Sequence, residues 1–110
     1  MKAASASSQT LSDYLTRYRP ALVILTGEAR GLEYRLDQPR IAVGRGPGVD
    51  LALDDASLRT RHALVEFRGA GFVLRAADLE GESAQSLELK DGDRFHLGSL
   101  ELQFTLEARD

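Results

Sequence analysis

Apolar and polar residues alternate along most of this chain with a period of two. Leu32, Tyr34 and Leu36 alternate with Glu33 and Arg35. Ile41 and Val43 repeat the spacing, as do Leu51 and Leu53. Ala63, Val65 and Phe67 lie on one face, opposite Leu64, Glu66 and Arg68. Leu100, Leu102, Phe104 and Leu106 alternate with Glu101, Gln103, Thr105 and Glu107, the clearest strand of all. Turn signals separate these runs: TGEARG, DQP, GPGVD, RGAG and KDGD. Short strands at such spacing predict an antiparallel sandwich or barrel.

A helical period shows only near the start. Leu11, Leu15 and Tyr18 share a face, Ser12 is a candidate cap and Pro20 a stop. The organisation predicted is a flexible tail over 1–10, a short helix over 11–19 and one domain over 20–108. The tail holds too little apolar surface to offset its ordering entropy. No longer helix appears, so parallel strand–helix–strand architecture is not expected.

Composition narrows the function. The net charge of −3 gives the whole chain no pull toward nucleic acid or an anionic membrane. Twelve of its fourteen basic residues are arginine, the planar fork that suits carboxylate or phosphate, although GC-rich codons give the same bias. There is no cysteine, so no thiolate metal site or cysteine nucleophile exists. The apolar run 21–25 is too short to span a bilayer, and MKAASASSQT lacks the apolar stretch of a secretory signal. A cytoplasmic protein, or a fragment of one, is expected.

The candidate chemistry lies in GRGPGVDLALDDASLRTRHA, residues 44–63. Three glycines and an arginine follow a strand, but no helix follows them. A dinucleotide fingerprint or a P-loop needs that helix N-terminus for its phosphates, so neither is expected. No Gly-x-Ser-x-Gly elbow appears. The segment from Asp78 imitates a calcium loop poorly, with Ser83 and Leu89 where glycine and glutamate are needed. No catalytic residue, metal ligand or cofactor is predicted.

Gly44-Arg45, Asp50, Leu53, Asp54-Asp55, His62-Ala63, Leu89-x-Asp91-Gly92-Asp93, and Gly98 ahead of Phe104 resemble the forkhead-associated (FHA) domain family. The similarity covers about residues 21 to 107. It implies a two-sheet antiparallel β-sandwich of the FHA/SMAD type, here with a short N-terminal helix, whose loops at one end bind phosphothreonine peptides. In that family the arginine of the Gly-Arg pair reads the peptide or its phosphate. The serine of a Ser-Arg-x-His motif bonds the phosphate, an asparagine in a later loop holds the peptide backbone, and the histidine braces the loop.

Carried over residue by residue, the resemblance implies Arg45, Ser57, Arg59, Thr60 and Arg61 as candidate phosphopeptide-binding residues. Gly44, His62, Asp91, Gly92 and Asp93 are the structural ones. Two departures stand out. The Ser-Arg of the motif reads Arg59-Thr60, and Ser57 lies two residues early, roughly 7 Å away in an extended loop. The chain has no asparagine, its segment from Asp78 to Leu89 is short, and Glu80 and Glu82 add negative charge there. Losing two hydrogen bonds to a charged group costs about 3–6 kcal/mol, or roughly 10²- to 10⁴-fold in affinity.

From the residues alone, Arg45 either meets a phosphate or braces Asp54 and Asp55. Arg59 and Arg61 are either an anion pair or solvated, and His96 should face outward. The prediction is a protein–protein interaction module that is not a standard phosphothreonine reader. Its partner would be a protein or phosphoprotein, or a second copy in a homodimer, since a lost hairpin exposes a sheet edge. The alternative is a phosphothreonine reader with altered phosphate contacts.

Overall fold

A computed structural model describes residues 10–76 and 86–109. Residues 1–9 of the predicted tail 1–10, and the segment 77–85 with Glu80 and Glu82, lie outside the described residues. The elements are α1 (Leu11–Arg17), β1 (Tyr18–Ile24), β2 (Glu33–Arg35), β3 (Arg40–Gly44), β4 (Leu51–Ala52), β5 (Ala63–Phe67), β6 (Phe72–Ala76), β7 (Ser86–Glu88), β8 (Arg94–Leu97) and β9 (Leu100–Ala108). Two sheets result, with orders β2-β1-β9-β8 and β4-β3-β5-β6-β7. This is the two-sheet sandwich that the resemblance implies, one of the two architectures the alternation leaves open. Among the described residues all ladders are antiparallel except the two-residue β3–β4 pair, which is parallel.

The inward faces supply the core. Leu22, Ile24, Leu36, Ile41, Val43, Val65, Phe72, Leu102 and Phe104 are fully buried. In β9 the alternation is followed closely: Leu100, Leu102 and Phe104 are buried while Glu101, Gln103 and Thr105 are half-buried. β5 departs from simple alternation. Leu64 and Glu66 are buried as well as Ala63 and Val65, with the side chains of Arg40, Arg68 and Arg75 bonded around Glu66.

The helix differs from the expectation in its capping residue and its C-terminal end. Thr10, not Ser12, is the cap, its Oγ1 accepting from Asp13 N at 3.0 Å. The helix ends at Arg17, since Tyr18 has already turned extended and begins β1. Pro20 therefore sits inside a strand, one residue before pairing with β2 begins at Ala21. There its missing N–H leaves no central ladder bond unmade. Seven residues are too few for a stable isolated helix. Its one buried residue, Tyr14, holds it: the ring packs 5.1 Å from Phe67 and 5.9 Å from Phe72 in edge contacts. This aromatic cluster closes one end of the sandwich. The candidate residues gather at the other end.

Candidate peptide-binding rim

The rim is built where β3 ends, β5 begins and β8 turns into β9. Two backbones run side by side there. Arg45 N donates to Arg59 O at 2.9 Å, Gly46 N to Thr60 O at 3.3 Å, and His62 N to Val43 O at 2.8 Å. Gly44 is required by this approach, because a Cβ there would overlap the Thr60 carbonyl. Asp50 folds the intervening loop back on β3: its N donates to Ala42 O, and its Oδ2 accepts from Ala42 N at 2.8 Å.

The structure thus brings Arg45, Arg59 and Thr60 together. Arg61 follows on the same turn, and all four are exposed. His62 is half-buried, and its Nδ1 accepts from Arg59 N at 3.1 Å, closing the 59–62 turn. The backbone N–H of the residue that replaces the family's serine is therefore committed to the loop. Arg45 leans toward the acids: its Nε lies 3.9 Å from Asp54 Oδ1, with both side chains largely exposed. Such a contact is weak in water.

Ser57 takes a different place from the one its motif position suggests. Its Oγ donates to Asp55 Oδ1 at 2.5 Å and accepts from Ser99 N at 2.8 Å. Its own N donates to the same Asp55 oxygen at 2.9 Å, and Ser99 Oγ lies 3.1 Å from Ser57 Oγ. The network clamps the 55–58 loop to the β8–β9 turn. Gly98 belongs to it, with φ +59 and a backbone so close that a Cβ would strike Ser57 Oγ. The Ser57 hydroxyl and N–H, then Ser99 and the Arg45 charge, hold the Asp55 carboxyl below its ordinary range.

Asp91, Gly92 and Asp93 lie away from this rim, in the turn before β8. Asp91 Oδ1 accepts from Leu106 N, Asp93 Oδ2 from Lys90 N, and Gly92 N donates to Phe104 O, each at 2.8 Å. Asp91 and Gly92 stitch the turn to β9, while the Asp93 carboxylate closes the turn on Lys90.

Three features went unseen in the sequence. Asp55 and Ser99 complete the Ser57 clamp, but 42 residues separate Ser57 from Ser99, so only the folded register joins them. Second, an open groove of about 530 Å³ runs beside the rim, between β6–β7 and β8. Arg59, His62, Leu74, Leu87, His96 and Leu97 line it. His96 does face outward, into this groove, and Leu87 is 52% exposed. Third, Glu66 gathers three arginines on the sheet face. Among the described residues no group of His, Asp and Glu is arranged to hold a metal ion, and no helix is long and apolar enough to cross a membrane.

Comparison with known proteins matches this picture. A family model described as the inner membrane component of the type III secretion system, cytoplasmic domain, matches residues 23–108. The chain is 36% identical over 110 aligned residues to the oxoglutarate dehydrogenase inhibitor of Corynebacterium efficiens, covering 93% of this chain and 76% of that protein. It is 35% identical over 89 residues to the glycogen accumulation regulator GarA of Mycolicibacterium smegmatis, covering 76% of this chain and 56% of that one. By name both relatives are regulators. The sandwich superposes on the FHA domain of the CT664 protein from Chlamydia trachomatis with a TM-score of 0.68 at 20% identity, over 79% of this chain and 96% of that one. The chain belongs to the forkhead-associated family, in the group described by the cytoplasmic-domain model of the type III secretion inner-membrane component.

Proposed function

We propose that this domain is a non-catalytic protein-interaction module of the FHA type whose rim binds its partner without requiring phosphothreonine. One observation carries the reading: the Ser57 hydroxyl is consumed by Asp55 and Ser99. A phosphate approaching it would have to displace a 2.5 Å bond and sit beside a carboxylate. Electrostatic repulsion there opposes the attraction that Arg45 supplies. The groove beside the rim supports the same reading. Leu74, Leu87 and Leu97 offer apolar lining, with His62, His96 and Arg59 as polar edges, a mixture suited to a peptide side chain. The names of the relatives speak of a dehydrogenase inhibitor and a metabolic regulator. An enzyme subunit is therefore a reasonable class of partner. A cysteine-free chain suits the reducing cytoplasm.

Self-association belongs to the same reading. β8 and β7 are edge strands among the described residues, and β7 is exposed along its length. Such edges pair readily. Sedimentation at rising concentration should show a dimer, and a monomer throughout would remove this part.

The second reading is a phosphothreonine reader with altered contacts. It rests on the proximity of Arg45 and Arg59, bonded backbone to backbone, with Thr60 and Arg61 exposed beside them. Calorimetric titration with phosphothreonine peptide libraries and their unphosphorylated twins separates the two. Equal binding of the twins supports the first reading. A phosphate-dependent gain of about tenfold or more establishes the second.

A further inference from the structure

The outer face of the five-stranded sheet carries a second constellation, about 10 Å along β5 from the rim. Cross-strand register sets Arg40, Glu66, Val73 and Glu88 in one row, and Ala42, Leu64, Arg75 and Ser86 in the next. Glu66 accepts from Arg40 Nε at 3.1 Å, from an Arg68 terminal nitrogen at 3.1 Å, and from Arg75 twice, at 3.1 and 3.3 Å. Its side chain is only 10% exposed, while those of Arg40 and Arg68 are 65% and 54% exposed. These arginines border an open depression of about 890 Å³.

Among the described residues, Arg40 and Arg68, both more than half exposed, face the one carboxylate of Glu66, in a chain whose net charge is −3. Glu88 ends its row on β7, outside the depression, and Asp50 is bonded to Ala42 N at the β3 edge. A guanidinium carries five N–H donors. Arg40 and Arg68 each give one donor to Glu66, and the remaining guanidinium donors of these two make no further bond among the described residues. Glu66 fixes the long side chains in place, so less rotamer freedom is lost when an anion arrives.

We propose that this face docks an extended Asp/Glu-rich segment of a partner protein. The charges are spread over β3, the end of β5 and β6, strands about 4.8 Å apart, around a resident carboxylate. A single phosphate needs donors converging on one point. An extended acidic chain instead offers a carboxylate about every 7 Å along one side, which matches a spread of forks. The bonds to Glu66 show that these arginines take a carboxylate directly. This surface works independently of whichever ligand the rim reads.

The test is fluorescence polarisation on the full chain with a labelled decapeptide of alternating Glu and Ser. A Lys–Ser decapeptide and inorganic phosphate serve as comparators. The Glu–Ser peptide should bind, more weakly as salt rises. Its affinity should fall about tenfold or more in R40E/R68E and stay within about twofold in the rim variant R45E. Amide shifts should map to residues 40, 66–68 and 73–75. Should R40E/R68E not fold, the neutral pair R40Q/R68Q replaces it, with a loss of about fivefold expected. No binding at ~1 mM peptide, unchanged affinity in either double variant, equal binding of the Lys–Ser peptide, or loss in R45E would overturn the proposal. So would the same shifts with phosphate alone. Self-association abolished by R40E/R68E without peptide binding would give the face to a second copy and equally refute an acidic partner.

Discussion

The rim and the sheet face handle charge in opposite ways. At the rim, arginines and acids are near one another but loosely engaged, and the tight bonds join Ser57, Asp55 and Ser99. On the sheet face, one nearly buried carboxylate pins three arginines. The rim's hydrogen bonds serve to shape loops; the face's serve to gather charge. The same residue type, arginine, is therefore a peripheral group in one place and a structural one in the other.

The largest expected effect of a substitution lies on the face. Removing the Glu66 carboxylate takes away the bonds it accepts from three arginines, of which Arg40 and Arg68, more than half exposed, regain water. Glu66→Ala should lower unfolding stability by about 3 kcal/mol in urea titration, while rim peptide binding is unchanged. Acid titration sharpens the same point. Arg75 bonds first, then Arg68 and the Arg75 and Arg40 charges, bring the Glu66 carboxyl from 4.5 to about 2, against the opposing effect of burial. A carboxyl held below its unfolded value stabilises the fold above pH 4.5, and this contribution disappears as pH falls toward 2. At 1.36 kcal/mol per pH unit, about 3 kcal/mol is the ceiling. Stability of the parent chain should fall across that window, and Glu66→Gln should flatten the fall.

Gly44→Ala comes next. Its new methyl meets the Thr60 carbonyl, so the 44–46 and 59–60 backbones must part, at about 2 kcal/mol. Denaturation would measure the loss, and amide shifts at Arg45 and Thr60 would localise it. Ser57→Ala should cost about 1 kcal/mol, raise the Asp55 carboxyl toward its ordinary range and speed hydrogen exchange at Ser99 N–H. Arg45→Ala should stay within about 0.5 kcal/mol in stability. If it proves as damaging as Glu66→Ala, the contrast between the two regions is wrong.

What could be read from the sequence follows the same division. Alternation in Leu100, Leu102 and Phe104 placed a strand and its inward face, since a period of two has a direct steric cause. Gly44-Arg45, His62 and the Asp91-Gly92-Asp93 turn were visible as motifs because each is local. The Ser57 clamp and the Glu66 cluster were not. Glu66 meets Arg40 across 26 residues and Arg75 across nine. Periodicity assigns a residue to a face, but only register tells which residues share it. Thr10 capping in place of Ser12 has a smaller cause: either hydroxyl suits the role, and the extended conformation of Thr10 decides it.

The central claim is that the rim's hydroxyl serves the fold rather than a phosphate. Amide resonances of the full chain during titration with phosphothreonine peptide pools, and then with unphosphorylated pools, test it most directly. The account predicts that Arg45, Gly46, Arg59 and Thr60 respond alike to both pools, with the Ser99 amide unmoved. Saturable shifts at these residues and at Ser99 with the phosphorylated pool alone would show the clamp opening onto phosphate, and would contradict it.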